Sequence, residues 1–387
     1  MVQTIISEGI ITDEALHEFR NRVGKKLRIN HQFNELASKD AIRKFSDGIG
    51  DPNPLWRDET YARATVYKTI AAPPSWHNSV LPTWVLQGLA GVHALHTSSD
   101  WEFYKPILLN DRITPECRLT KCKVKQSDFA GKSVIEQQEV KYFNQNGELT
   151  AKVKSAAFRV ERAAARQKGK YSKIQLPHPW TEEEILEIEA QVLNEKIRGA
   201  ENRFWEDVAA GDELPVLTKG PLGLTDFIAY IIGASPVPIK AHGLSLRDYR
   251  RHPAWGFRDP VTFAMEPIYS VHYNAFAAQA CGIPYPYDVA VQRHCWLIQL
   301  MTNWMSDNGW LKKSYAKYRD IVYLSDVVWL KGTIVRKYMD ENSEHCVDIK
   351  TDAINQRGRS VMNGQSTVIL PSRDRASNPV KKRLGKE

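Results

Sequence analysis

The chain has 387 residues, 42% hydrophobic and 25% charged, a balance that suits two soluble domains of about 150–200 residues rather than one. No apolar run approaches membrane-spanning length, and no segment has the basic start and apolar core of a signal peptide, so a cytoplasmic protein with no membrane partner is expected. The net charge of +8 is partly a basic C-terminal run and a second cluster at 162–173. No helix-turn-helix, finger or RNP-like pattern accompanies the charge, which argues against nucleic acid, and the remaining excess suits an anionic small molecule. Five scattered cysteines read as free thiols, without the spacing of zinc ligands.

In chain order, residues 13–23 predict an amphipathic helix. Residues 41–74 read AIRKFSDGIGDPNPLWRDETYARATVYKTIAAPP. The stretch opens as a helix, breaks at Gly48-Ile49-Gly50, enters a Pro-punctuated loop at Asp51 and resumes as a short helix capped by Asp58. An apolar run over 76–89 carries Val80, Trp84, Leu86 and Leu89 at near-helical spacing and predicts a long helix, with Pro82 a possible kink. The period then changes. Segments 101–106, 112–124, 133–143 and 149–160 alternate and predict strands, with Asn146-Gly147 a hairpin turn between the last two.

Residues 162–182 read as a basic linker, after which Thr181 and three glutamates start a helix ending near Gly199. From Arg203 the pattern begins again: a helix over 224–232, a long loop rich in His, Arg and Pro, a short helix over 275–281, a long apolar helix over 289–305, and strands over 314–323, 327–338, 345–353 and 360–370. At one constant offset Trp56, Asp58 and Ala62 fall on His272, Asn274 and Ala278, and Asp111 falls within a residue of Asp326. The expected organisation is a first domain over 1–161, a linker and helix over 162–202, a second domain over 203–371 and a disordered basic tail over 372–387. The expected fold class is α+β, with two antiparallel sheets, each wrapped around a long central helix and joined edge to edge as a pseudo-dimer within one chain.

The 41–74 string resembles the overhanging loop of MaoC-like acyl dehydratases, the type-2 (R-specific) enoyl-CoA hydratase family, and the first half is similar to their FAS1-like N-terminal units. The resemblance spans about residues 30–160 and 203–370 and implies a fused double hot-dog fold. It also implies reversible hydration of an enoyl-CoA to a 3-hydroxyacyl-CoA. Such chemistry needs a group that deprotonates water, a group that manages the α-carbon proton, and donors for the thioester oxygen. In the family the loop Asp and a His five residues later form the catalytic pair. Here Asp51 matches the Asp but Trp56 stands at the His position, while His272 holds the His position of the second unit with Pro267 five residues before it and Glu266 alongside.

The resemblance therefore implies His272 as the catalytic base of the second unit, with Glu266, Asp288 or, across units, Asp51 as its carboxylate, raising the imidazole pKa. Asp51 also has a plain reading as an Asx-turn carboxylate. Trp56 is expected as apolar lining of an acyl tunnel and Asn274 as a substrate contact or helix cap. The polar start of the second long helix, with Asp288, Gln292, Arg293 and His294, resembles a segment of double hot-dog relatives and is expected to bind substrate. The family's Ala-His-Gly is absent at Ala72-Pro73-Pro74 and at Asp288-Val289-Ala290. No metal and no cofactor beyond the substrate's coenzyme A is implied. The partners implied are an acyl-CoA and either a second copy or another hot-dog chain. Two other functions fit the same sequence: a hot-dog thioesterase, and a non-catalytic acyl-CoA-binding or scaffold subunit.

Overall fold

Period-two apolar patterning forms strands that each bury one side. In chain order they are β1 (Ile5–Ile6), β2 (Val92–Phe103), β3 (Thr114–Ser127), β4 (Gly131–Phe143), β5 (Leu149–Glu161), β6 (Leu217–Lys219), β7 (Gly256–Arg258), β8 (Met265–Pro267), β9 (Trp310–Tyr318), β10 (Val328–Met339), β11 (His345–Asn355) and β12 (Ser360–Ile369). The computed structural model describes residues 5–30, 32–127, 131–168, 174–235, 237–374 and 378–385. Nine strands make one antiparallel sheet in the order β3-β4-β5-β2-β9-β12-β11-β10-β6. Strands β2–β5 and β9–β12 are its two halves, joined where Ser98 pairs with Lys317 and Glu102 with Lys313. The chain is thus α+β with the units fused through one sheet edge. Strands β1, β7 and β8 form a separate small sheet, so Ile5 crosses to the second unit to pair with Arg258.

The repeat extends to hydrogen bonds. A 3₁₀ turn ends at Trp56 in the first unit and at His272 in the second. Two residues on, Asp58 caps the helix Glu59–Ala64 and Asn274 caps the helix Ala275–Ala280. Asp111 accepts from the backbone N–H of Leu108 and from Gln145, and Asp326 accepts from the N–H of Tyr323 and from Gln356. Carboxylate, turn and amide partner recur because the same corner is built twice.

The central helices differ. Ala290–Met305 is buried at every position from Val291 to Met305, which accounts for its apolar surround. The helix expected over 76–89 does not form. A 3₁₀ turn, Pro74–Trp76, and one helical turn, His77–Val80, are followed by Leu81 in extended conformation. Pro82 lacks the N–H that would continue the ladder and disfavours helix at Leu81. The segment beyond it is held on the sheet by Gln138, which accepts from the Val85 N–H at 2.8 Å and donates to the Val85 carbonyl at 2.9 Å.

The helices Lys39–Ile49 and Leu224–Ala234 pack on each other through glycines. A Cβ on Gly48 would lie 2.6 Å from the Ala229 carbonyl oxygen, and one on Gly233 would lie 2.4 Å from that of Lys44. In the first unit only residues 50–53 separate this helix from the 3₁₀ turn. In the second, residues 235–267 intervene and hold the helix His242–Arg251, β7 and β8 where the sequence suggested only a long loop. The linker helix is Glu182–Leu193, closed by a capping box of Thr181 and Glu184, and it stops short of Gly199.

The described part of the C-terminal run is not a solvated tail. Pro379–Arg383 is a helix, Val380 is buried, and Arg383 donates to Glu344 at 2.7 Å. Among the described residues all five cysteines are free and no metal-binding cluster occurs; no helix is long and apolar enough to cross a membrane.

Candidate active site

His272 ends the 3₁₀ turn Ile268–His272, which leads directly out of β8. Its Nδ1 lies 2.7 Å from the Tyr287 carbonyl oxygen. A carbonyl can only accept, so Nδ1 carries the proton and Nε2 is left as the basic nitrogen. The ring is half-buried between Tyr269 and Tyr287, at centroid distances of 4.6 and 4.7 Å. Burial pushes its pKa down to about 4, against the opposing pull of backbone hydrogen bonds at Tyr287 and Asp288. The imidazole is therefore neutral near pH 7. This corrects the expectation of a raised pKa, because burial outweighs the backbone hydrogen bonds and, among the described residues, no carboxylate is bonded to the ring.

The surroundings draw on both units. The Tyr287 hydroxyl lies 3.2 Å from Nε2 of His93 on β2, and among the described residues the buried Tyr269 hydroxyl has no hydrogen-bond partner. Burial, with Arg162, His272 and Arg159 nearby, pushes His93 down to about 3. Further along β2, His96 reaches Ser99 at 3.2 Å, and Ser99 reaches the Tyr318 hydroxyl at 3.3 Å.

The polar start of the second central helix is internal. Asp288 and Arg293 form a buried ion pair at 2.5 Å, and burial pushes the Asp288 carboxyl up against the pull of Arg293. Arg293 also donates to the carbonyls of Asp320 and Val361, at 2.9 and 2.8 Å. His294 has 0% exposure and lies 2.9 Å from the Ser314 hydroxyl, and Gln292 is buried. These four residues hold the helix start in the core; Arg293 and His294 do not face solvent to meet a phosphate. Asn274 caps its helix, accepting from Phe276 and Ala277, and donates to Asp259 at 2.7 Å.

In the first unit Asp51 is 1% exposed. One carboxylate oxygen accepts from the Asn53 N–H at 3.1 Å, and the other accepts from the Trp56 indole N–H at 3.0 Å. Burial is the main cause raising its pKa to about 6. Behind it, Lys219 donates to the Gly50 carbonyl at 2.8 Å, and Gln299 bridges that carbonyl and Glu195 at 2.9 and 2.7 Å. Trp56 lines a cavity with Tyr67, His77, Phe103 and Met305, of about 30 Å³. That is room for water and not for an acyl chain, so the tunnel expected at Trp56 is closed in this state.

Among the described residues no hydrogen bond or ion pair links Asp51, Glu266 or the Asp288 carboxylate to His272. Glu266 sits on β8 among Tyr249 and Tyr273, its pKa raised by burial and by Asp259. The bonded dyad that the resemblance implied is therefore not formed among the described residues; Asp288 meets His272 only through its backbone. Sequence reasoning missed His93, Tyr269, Lys219 and Glu195. Only for Tyr269, three residues before His272 in a segment already aligned, did spacing carry a usable signal.

Two meanders fused through one sheet edge, the second curled around its helix, define a double hot-dog protein. Residues 22–153 match the family model described as FAS1-like, dehydratase domain region. A UPF0336 protein of Streptomyces avermitilis is 27% identical over 107 residues, 26% of this chain and 69% of that protein. One from Thermobifida fusca is 30% identical over 101 residues, 24% of this chain and 64% of that protein. Among solved structures, a MaoC-like dehydratase superposes with a TM-score of 0.60 at 15% identity, covering 90% of this chain and 99% of that one. A conserved hypothetical protein from Mycobacterium tuberculosis, described as having a double hotdog fold, gives 0.53 at 9% identity, covering 90% and 96%. Residues 22–153 are thus similar to the FAS1-like dehydratase region, and the chain shares the fold of the MaoC-like dehydratase it superposes on.

Proposed function

We propose that the protein hydrates an enoyl-CoA reversibly to a 3-hydroxyacyl-CoA, with His272 of the second unit as the base and no cofactor beyond the coenzyme A of the substrate. It works in the cytoplasm, as a homodimer or with another hot-dog chain. The observation that carries this is the tautomer of His272: a neutral, half-buried imidazole whose Nδ1–H donates to the Tyr287 carbonyl, which leaves Nε2 as the basic nitrogen. Nε2 takes a proton from water as the hydroxide oxygen bonds to the β carbon. The electron pair of the double bond passes to the α carbon and thioester oxygen, and the imidazolium then returns its proton to the α carbon, so one water is added in all. The Tyr269 hydroxyl, without a partner at rest, donates to the thioester oxygen. Asp51 takes no part, because Trp56 holds it.

A second function is favoured by one observation: no carboxylate assists His272, as a non-catalytic acyl-CoA-binding subunit would have it. Purified chain incubated with enoyl-CoA, 3-hydroxyacyl-CoA and saturated acyl-CoA, with hydration and free thiol followed separately, distinguishes the cases. Interconversion of the first two supports the hydratase, thiol release from the third replaces it with a thioesterase, and binding without turnover leaves the subunit.

A further inference from the structure

We infer that the helix His242–Arg251 and the adjoining turn at residues 259–264 anchor the phosphorylated nucleotide end of the thioester substrate; this rests on the hydration chemistry proposed at His272. The cations first expected to do so are occupied in the core. Arg293 and His294 are both buried.

The helix offers what they cannot. It packs inward through Ser245 and Tyr249, one turn apart, with Tyr249 against β7: a Cβ on Gly256 would lie 3.3 Å from the Tyr249 Cβ. Arg247, Arg250 and Arg251 fall on the opposite arc and are exposed. Among the described residues none of the three makes a hydrogen bond or ion pair. The nearby Asp248, whose field Arg251 also feels, is already taken by Lys240 at 2.7 Å. Three guanidinium groups without carboxylate partners make a site for phosphate oxygens, which they meet through paired N–H donors.

The turn supplies a base-stacking face. Phe263 is exposed and held at φ 60°, a conformation a bulky side chain rarely adopts. The turn is built around it: Asp259 accepts from the N–H groups of Val261 and Thr262, both at 2.8 Å, and Arg258 donates to the Phe263 carbonyl at 2.8 Å. An exposed aromatic ring is a platform for adenine.

The helix packs against β8, and β8 runs through Pro267 into the 3₁₀ turn that carries His272. A coenzyme thioester holds its phosphates a pantetheine arm away from the reacting carbons, so their anchor belongs on an element neighbouring the imidazole. The helix, β7 and β8 occupy that place in the second unit, where the first unit has only residues 50–53 between its helix and its 3₁₀ turn.

Calorimetric titration of coenzyme A and of adenosine 3′,5′-bisphosphate into wild type, R247A/R250A/R251A and Phe263→Ala tests the site. Each exposed cation contributes about two- to fivefold, so the triple variant raises Kd for both ligands by about tenfold or more and flattens the salt dependence. Phe263→Ala weakens both ligands severalfold. Turnover of an N-acetylcysteamine thioester, which lacks the nucleotide, stays at the wild-type rate in the triple variant. Unchanged Kd in that variant overturns the inference, as does equal loss with the truncated thioester or a defect confined to protein-borne thioesters. If no chain hydrates enoyl-CoA but the nucleotide affinities fall as stated, the hydration chemistry is wrong and the anchor stands.

Discussion

The two units carry the same loop with opposite outcomes. In the first, a carboxylate survives and the residue five positions on is an indole. Trp56 can only donate, and its indole N–H is spent on an Asp51 carboxylate that is 1% exposed. In the second, the imidazole survives with a proline five positions before it, and a peptide carbonyl orients the ring. A hydrogen bond from a buried donor preserves the shape of the loop and occupies one oxygen of its carboxylate. A hydrogen bond to a carbonyl fixes a tautomer and makes the other nitrogen the basic one.

The comparison breaks first at His272. Its replacement by Ala should lower turnover roughly 10²–10⁴-fold with coenzyme binding unchanged, and full retained activity would transfer the chemistry elsewhere. Because its pKa is about 4, the rate should show no imidazole limb between pH 6 and 8. A limb at its ordinary value would mean that substrate or a carboxylate restores the charge.

The unequal helices give the next contrast. Leu297→Ala, in the buried second helix, should cost about 2–5 kcal/mol in denaturant unfolding. Leu86→Ala, at 43% exposure in the segment that failed to become a helix, should stay within about 0.5 kcal/mol.

Asp51→Asn sharpens the contrast through pH. The carboxyl is raised to about 6 in the fold, so its contribution is fully present below the unfolded value near 3.8 and is lost as pH rises through 6. The variant should gain on wild type between pH 4 and 8 by on the order of 2–3 kcal/mol, while turnover changes little. Equal pH dependence in both proteins would mean that the carboxyl is not buried in solution.

The buried histidines act in the opposite direction. His77 and His272 are pushed to about 4, and His93, His96 and His294 to about 3. Their contribution is complete above the unfolded value near 6.5 and is lost as pH falls towards the folded values. Each should cost about 1 kcal/mol between pH 7 and 5.5, seen as a falling Tm and removed for His294 by His294→Gln. The smallest effect is expected from Glu266→Gln, which should leave turnover near wild type because no bond joins Glu266 to His272.

Elements that depend on local pattern were legible from the residues alone. Alternation placed the eight long strands to within a few residues at most ends, though β2 begins nine residues earlier than expected. Asp58 and Thr181 announced their helices, and the repeat placed His272 opposite Trp56 because a corner built twice needs the same turn residues. Tertiary structure decided what those residues do. Whether 76–89 coils into a helix depended on Pro82 and on the long-range grip of Gln138 on Val85, which no local window contains. Whether Arg293 meets solvent depended on carbonyls at Asp320 and Val361, far along the chain. The partner of His272 is a backbone oxygen, and backbone oxygens are identical at every position. A sequence lists the side chains able to form a dyad, but only the folded chain shows that Asp51 is held by Trp56 and His272 by Tyr287.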